Sequence, residues 1–357
     1  MFSQRYCPNF RTQIATDAEA KLARETWFLR FKENYQLFRR SLFLRLSGQK
    51  KLELEYIPKS CQRILWINTS IRNIGDAVMN LSGRVLLKDK YQLDLLAVSS
   101  YAELFSNDDV FQNIYTDVTR LQDNYDLIIL DTVKSRSLNV KLKYYKNIPF
   151  CHLRGHFDGI EFNWVDFSFH RINALLSYPY NQQQLEQLSD HHLCLPKCIN
   201  WFKSSKPYIV IAVGGEDVER RSYGYWAEVI DYILTKNSNY DVVLVGSENG
   251  LEIADRLMQC YPELTNFVNQ ISLLETSKVI AECSIFIGCD GGLLHIAAGF
   301  HKLGVGLFGY FAPKFRLTQR SSMQSIYDER MVNNIPSEQL IQKINTLIDN
   351  LSNSSNV

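Results

Sequence analysis

The chain of 357 residues has no apolar stretch approaching the roughly 20 residues that a helix needs to span a bilayer. Its longest apolar run of interest, Tyr208 to Val213, is far too short. The start, Met1-Phe2-Ser3-Gln4-Arg5-Tyr6-Cys7, lacks the apolar segment of a signal peptide, and the expectation is a cytoplasmic protein. An excess of one charge is also lacking. The 39 Lys and Arg against 38 Asp and Glu leave +1, so there is no global nucleic-acid footprint. None of the eight cysteines forms a C-x-x-C pair; the nearest two, Cys194 and Cys198, stand alone, which argues against a zinc site with its paired ligands. With 17 Gly and 9 Pro the composition excludes collagen-like, low-complexity and wholly disordered classes. What is present is ordinary globular composition and enough length for two or three domains.

Charge is nevertheless unevenly placed. Between Lys21 and Lys51 stand nine basic residues and two acidic ones, interleaved with Trp27, Phe28, Phe31, Tyr35, Leu37, Phe38, Leu42, Phe43, Leu44 and Leu46. The spacing predicts a helix with an aromatic face and a basic face. Such a helix either packs its stripe on the main body or lies on an anionic membrane, where each basic residue contributes about 1 kcal/mol.

From Arg63 onward short apolar strands alternate with amphipathic helical stretches, the pattern of parallel βαβ units. Strands are expected at 63–68, 93–98, 125–130 and, more weakly, 147–150, with a helix from about Asp76 to Lys88 and another near 169–176. The stretch 178–206 reads as a linker. A second series follows at 208–213, 242–245, 284–287 and 304–308. Two doubly wound α/β domains are the economical conclusion, and their ligands are expected beyond the carboxyl ends of the strands, in a cleft between the two.

Gly304-Val305-Gly306-Leu307-Phe308-Gly309 matches G-x-G-x-x-G, but its middle residues are themselves a strand, whereas the dinucleotide fingerprint belongs in the turn after one. NAD binding is therefore disfavoured. Two other loops carry more information. After the first strand comes Asn68-Thr69-Ser70-Ile71-Arg72-Asn73-Ile74-Gly75-Asp76, in which Gly75 permits a tight turn and Asp76 sits at a helix start. Asp76 there is either a helix cap or a functional acid. After the strand ending at Ile287 comes Gly288-Cys289-Asp290-Gly291-Gly292-Leu293-Leu294-His295-Ile296-Ala297-Ala298. Gly291 and Gly292 open a helix, so backbone N–H groups and a positive dipole end face an anion such as a diphosphate.

The order and flanking strands of these loops, with the segment Val242 to Glu252 and, more weakly, Phe169-His170-Arg171-Ile172, resemble glycosyltransferase family 9, the ADP-heptose:lipopolysaccharide heptosyltransferases. The resemblance covers about residues 63–309. It implies a GT-B fold, two Rossmann-like doubly wound domains facing a cleft, here with a helical N-terminal extension. The expected parts are the extension 1–58, an acceptor-side domain 59–190, a nucleotide-sugar domain 191–335, and a C-terminal helix and tail 336–357 returning to the N-terminal domain. It further implies inverting transfer of heptose from ADP-heptose to the lipopolysaccharide inner core at the cytoplasmic membrane face, with Asp76 as the base that takes the acceptor hydroxyl proton.

The remaining roles follow the same resemblance. Gly291, Gly292 and His295 would meet the phosphates or sugar, Asp290 the sugar hydroxyls, and Glu252 the nucleotide ribose. Arg72, Asn73 and Gly75 would form the acceptor-side loop. Relatives carry a lysine after the second domain's first strand; here that position falls on Glu219 or Arg220, so Arg220, then Arg221, is the expected phosphate ligand, unless both only neutralise neighbouring acids. No cofactor beyond the nucleotide sugar and no metal is expected, since no D-x-D pair occurs. Expected partners are the ADP-sugar, the lipopolysaccharide acceptor and an anionic membrane surface through residues 21–51, without nucleic acid. A transferase using another nucleotide sugar, and a non-catalytic nucleotide- or lipid-binding derivative, stay open.

Overall fold

Four apolar residues in a row, Ile64-Leu65-Trp66-Ile67, all buried, make the centre of strand β1 (Arg63–Asn68). The computed structural model describes residues 27–132, 135–154, 163–196, 202–215 and 221–354. The chain divides into two compact units with the boundary between Ser189 and Asp190.

The first unit holds β1, β2 (Gln92–Ala97), β3 (Phe111–Tyr115), β4 (Leu127–Thr132) and β5 (Phe150–Arg154) in the order β3-β2-β1-β4-β5. Every pairing is parallel. The chain runs from β1 to β2 and β3 on one side and crosses to β4 and β5 on the other, so the order reverses between β1 and β4.

Helix α1 (Trp27–Leu46) begins this unit. The end of α1 and the segment after it are not a separate extension up to residue 58: Leu44 is in the core with Phe150 and Leu65, Leu54 donates its backbone N–H to the Phe150 carbonyl at 2.8 Å, and Ile57 is fully buried. The unpaired edge of β5 takes up this segment, and Glu53 accepts from His152 on the strand at 3.0 Å. The domain start expected at residue 59 thus moves back at least to Leu44.

The second unit holds β6 (Tyr208–Ala212), β7 (Asp241–Val245), β8 (Thr265–Asn266), β9 (Ile285–Cys289), β10 (Gly304–Gly309) and β11 (Met323–Asp328), in the order β11-β10-β9-β6-β7-β8. All pairings are again parallel, and the order reverses between β6 and β9. The G-x-G-x-x-G run is β10 itself; a Cβ on Gly304 would stand 2.2 Å from the Phe286 carbonyl, so its glycine serves strand packing. At the end of β6, Gly214 has φ +83° and lies against the backbone of Gly250 in the turn after β7, where a Cβ would come within 2.7 Å.

In the C-terminal helix Ser337–Ser354, Leu340, Ile344, Leu347 and Ile348 are buried in the second unit's own core, with Ile230, Val305 and Leu307. Their i, i+4, i+7, i+8 spacing makes one apolar stripe, and that stripe is spent on the sheet.

Candidate active site

In open parallel sheets the loops at the carboxyl ends of the strands diverge where the strand order reverses, leaving a crevice. Both units place the sequence motifs at that point.

In the first unit the loop after β1 is held by Asp131, near the end of β4. Its carboxylate accepts the backbone N–H of Ser70 at 2.7 Å, of Ile71 at 3.3 Å and of Thr132 at 2.6 Å. Burial pushes the Asp131 carboxyl up to about 6, against hydrogen bonds from Ser137 and these amides. The Ser137 hydroxyl lies 3.0 Å from that of Thr69 and 2.8 Å from that of Ser70.

Helix α2 (Ile74–Ser82) leaves this loop with Asn73 at its N-cap position and Asp76 in its first turn. The Asn73 carbonyl accepts from Ala77 at 3.0 Å, while its side chain makes no cap. Asp76 is half-buried, is not the cap residue, and makes no hydrogen bond or ion pair to a described residue. Its carboxylate is thus available to a ligand, and the dipole of α2 favours its negative charge. Arg72 and Asn73 are exposed and Gly75 is buried. The Phe169-His170-Arg171-Ile172 segment is elsewhere, in the helix Trp164–Leu175, with Arg171 donating to the His152 carbonyl at 2.8 and 3.0 Å.

In the second unit β9 ends at Cys289, and Asp290 and Gly291 lead into the helix Gly292–Gly299. Gly291 is extended, and the helix start has no side-chain cap, so its first N–H groups point to an acceptor from outside the helix. A Cβ on Gly291 would meet only the Cys289 carbonyl at 3.7 Å, so space alone does not require glycine.

Asp290 is buried. Its Oδ1 is 3.3 Å from His295 Nε2 and its Oδ2 is 3.8 Å from Arg316 Nε. Burial raises the Asp290 carboxyl, but the His295 hydrogen bond and the charges of Arg316 and Arg221 outweigh it and hold it below the usual carboxylate range. Arg221, half-buried after β6, is near enough for its charge to act on Asp290, while Arg220 lies outside the described residues. Glu252 stands in the first turn of the helix Leu251–Cys260, exposed and paired with Arg256.

His295 is 2% exposed, and its two ring nitrogens face Asp290 and His191.

Residues 165–336 match the model of glycosyltransferase family 9 (heptosyltransferase). The chain carries a glycosyltransferase family 9 region. A relative is lipooligosaccharide heptosyltransferase 2 of Haemophilus influenzae, 26% identical over 117 residues, which are 31% of this chain and 33% of that protein. The match thus spans about a third of the relative's length. The structure of E. coli ADP-heptose LPS heptosyltransferase II is similar with a TM-score of 0.66 at 20% identity, over 82% of this chain and 100% of that one. The iron-containing dodecameric glycosyltransferase TibC of enterotoxigenic E. coli has a TM-score of 0.53 at 16% identity, over 84% of this chain and 81% of that one. At these identities the likenesses establish the fold, GT-B with two Rossmann-like units.

Three residues of the site escaped the family 9 reading. Arg316 follows β10 in a short turn with no motif around it. Asp131 is signalled only by a polar residue ending the apolar run Ile128-Ile129-Leu130. His191 sits in the stretch read as linker, yet it is fully buried.

Proposed function

We propose that the protein is an inverting glycosyltransferase that moves heptose from ADP-heptose to the lipopolysaccharide inner core at the cytoplasmic face of the inner membrane, with Asp76 as general base. The observation that carries this reading is the arrangement at the β6/β9 reversal, where an uncapped helix start, Arg221 and Arg316 surround Asp290. A nucleoside diphosphate leaving the sugar gains negative charge in the transition state, and pre-aligned N–H groups with two guanidinium ions stabilise that charge more than the ground state. Asp290, kept ionised, accepts sugar hydroxyls. In the first unit Asp76 takes the proton of the acceptor hydroxyl as it attacks the anomeric carbon, a contribution of about 10²–10⁴ in rate.

The donor site needs no metal on this account, since guanidinium and amide groups supply the positive charge. The exposed side of α1 fits an anionic lipid surface: Tyr35, Phe38, Leu42, Phe43 and Leu46 are exposed beside Arg39 and Arg45. No helix among the described residues is long and apolar enough to cross a membrane.

The test is a thermal-shift panel with ADP, UDP, GDP, CDP and NADH, each with and without EDTA, followed by ADP release from ADP-heptose in the presence of core acceptors. A ligand at 100 times its Kd adds about 2.7 kcal/mol. Stabilisation by ADP, indifferent to EDTA, is expected. Preference for UDP or GDP would remove heptose, loss of the shift in EDTA would bring in a metal, and silence with every nucleotide would overturn the enzyme reading.

A further inference from the structure

Behind the donor-site loop lies a buried run of polar groups that the reaction does not use directly. His191 Nε2 is 3.0 Å from His295 Nδ1, with the two rings stacked at 5.2 Å and 18°. On the far side His295 Nε2 is 3.3 Å from Asp290 Oδ1. His191 is anchored from behind: its backbone N–H donates to Asp190 Oδ1 at 2.8 Å, and Asp190 also accepts the Thr318 hydroxyl at 2.6 Å and faces His301 Nδ1 at 3.5 Å. Leu193 ties the same segment to the helix carrying His295, donating its N–H to the Gly299 carbonyl at 3.0 Å.

One proton lies between the two rings, and its owner decides what His295 offers Asp290. If His295 donated from Nδ1 while neutral, its Nε2 lone pair would point at the Asp290 carboxylate. If His191 donates, the proton of His295 sits on Nε2 and points at Asp290. The second arrangement leaves a lone pair on His191 Nδ1, which lies 3.9 Å from Asp190 Oδ1, beyond hydrogen-bond distance, and has no hydrogen-bond partner. Burial, which outweighs the neighbouring Asp190, pushes His191 down to about 4, so it stays neutral at neutral pH.

We propose that His191 is a positioning residue of the donor site: by donating Nε2–H to His295 Nδ1 it fixes the Nε2–H tautomer of His295, which holds the Asp290 carboxylate ionised and aimed. The assignment of Asp290 to the sugar hydroxyls rests on the glycosyl-transfer reading; the tautomer does not.

Long-range ¹H–¹⁵N spectra of the full-length protein, with His295 assigned from His295→Asn, test the tautomer directly. A neutral Nε2–H ring at pH 7 is expected; a neutral Nδ1–H ring or an imidazolium overturns the proposal. In His191→Phe the donor is lost, and a fall of about tenfold or more in ADP-heptose affinity, with ADP affinity little changed, is expected from the weakened hydrogen bond to the charged Asp290. His191→Gln places an amide N–H near the former Nε2 and should restore affinity to within about threefold. Equal loss in both variants would mean that the ring only fills space, and overturns the positioning role even with the tautomer as expected. If the wild type binds none of the nucleoside diphosphates, the glycosyl-transfer reading fails while the spectra still decide the tautomer.

Discussion

Asp76, in the helix that leaves the loop after β1, and Asp131, on β4 beside that loop, show how differently two carboxylates are used. Asp76 is half-buried with no protein partner among the described residues, as a base waiting for a hydroxyl must be. Asp76→Asn keeps the side-chain shape and the donor site, so ADP binding measured by calorimetry should be unchanged while turnover falls at least a hundredfold. Near-normal turnover would end its role as base. Asp131 instead spends its oxygens on the loop, and its pKa is raised to about 6 from 3.8.

A group raised in the folded state contributes stability that is fully present below its unfolded value and is lost as pH rises through the folded value. Wild type should therefore gain on Asp131→Asn by about 2.4 kcal/mol as pH falls from 7 to 4, read from urea unfolding of both proteins. A constant difference would show that the carboxyl is not held up by burial. At this scale the sequence revealed Asp76, Asp290, Gly291 and Gly292, because turns after buried strands are local features. His191, Arg316 and Asp131 were hidden, since each reaches the site from a segment distant in sequence, and only the sheet order brings them there.

The elements repeat the contrast between local and non-local signals. Central strands such as β1, β6 and β9 were legible because both faces are covered and the middle of each run is apolar. β3, β8 and β11 were not, and all three are edge strands with partly exposed, polar residues, Phe-Gln-Asn-Ile-Tyr in β3 for instance. The stretch read as linker likewise contains a capped helix, Gln182–Leu188, and the buried Asp190-His191 pair.

For α1 the fold sharpens the membrane test. Deleting residues 1–58 would remove buried Leu44 and Ile57 and damage the first unit, so loss of vesicle binding would say little. Replacing exposed Phe38, Leu42 and Leu46 together by Ser leaves the core intact. Each apolar side chain is worth about 1.5–3 kcal/mol when fully buried, so affinity for anionic vesicles at low salt should fall more than tenfold. Unchanged sedimentation with such vesicles would dispose of the membrane role.

On the scale of the whole molecule, two independent cores and two strand-order reversals divide the work. The first unit carries the candidate base, and the second carries the candidate diphosphate site and the buried His191–His295 pair that supports it. If ADP binds only at the β6/β9 reversal, its free energy is delivered to the second unit, because a ligand stabilises the state whose groups it touches. Hydrogen exchange followed peptide by peptide should then slow in the turn after β9 and in the segments around Arg221 and Arg316 by tenfold or more at saturating ADP. The amides of β1, β4 and the loop held by Asp131 should exchange as in the free protein until an acceptor is added. Protection centred on the loop after β1 with ADP alone would place the nucleotide in the first unit, reversing the division of roles between Asp76 and Asp290.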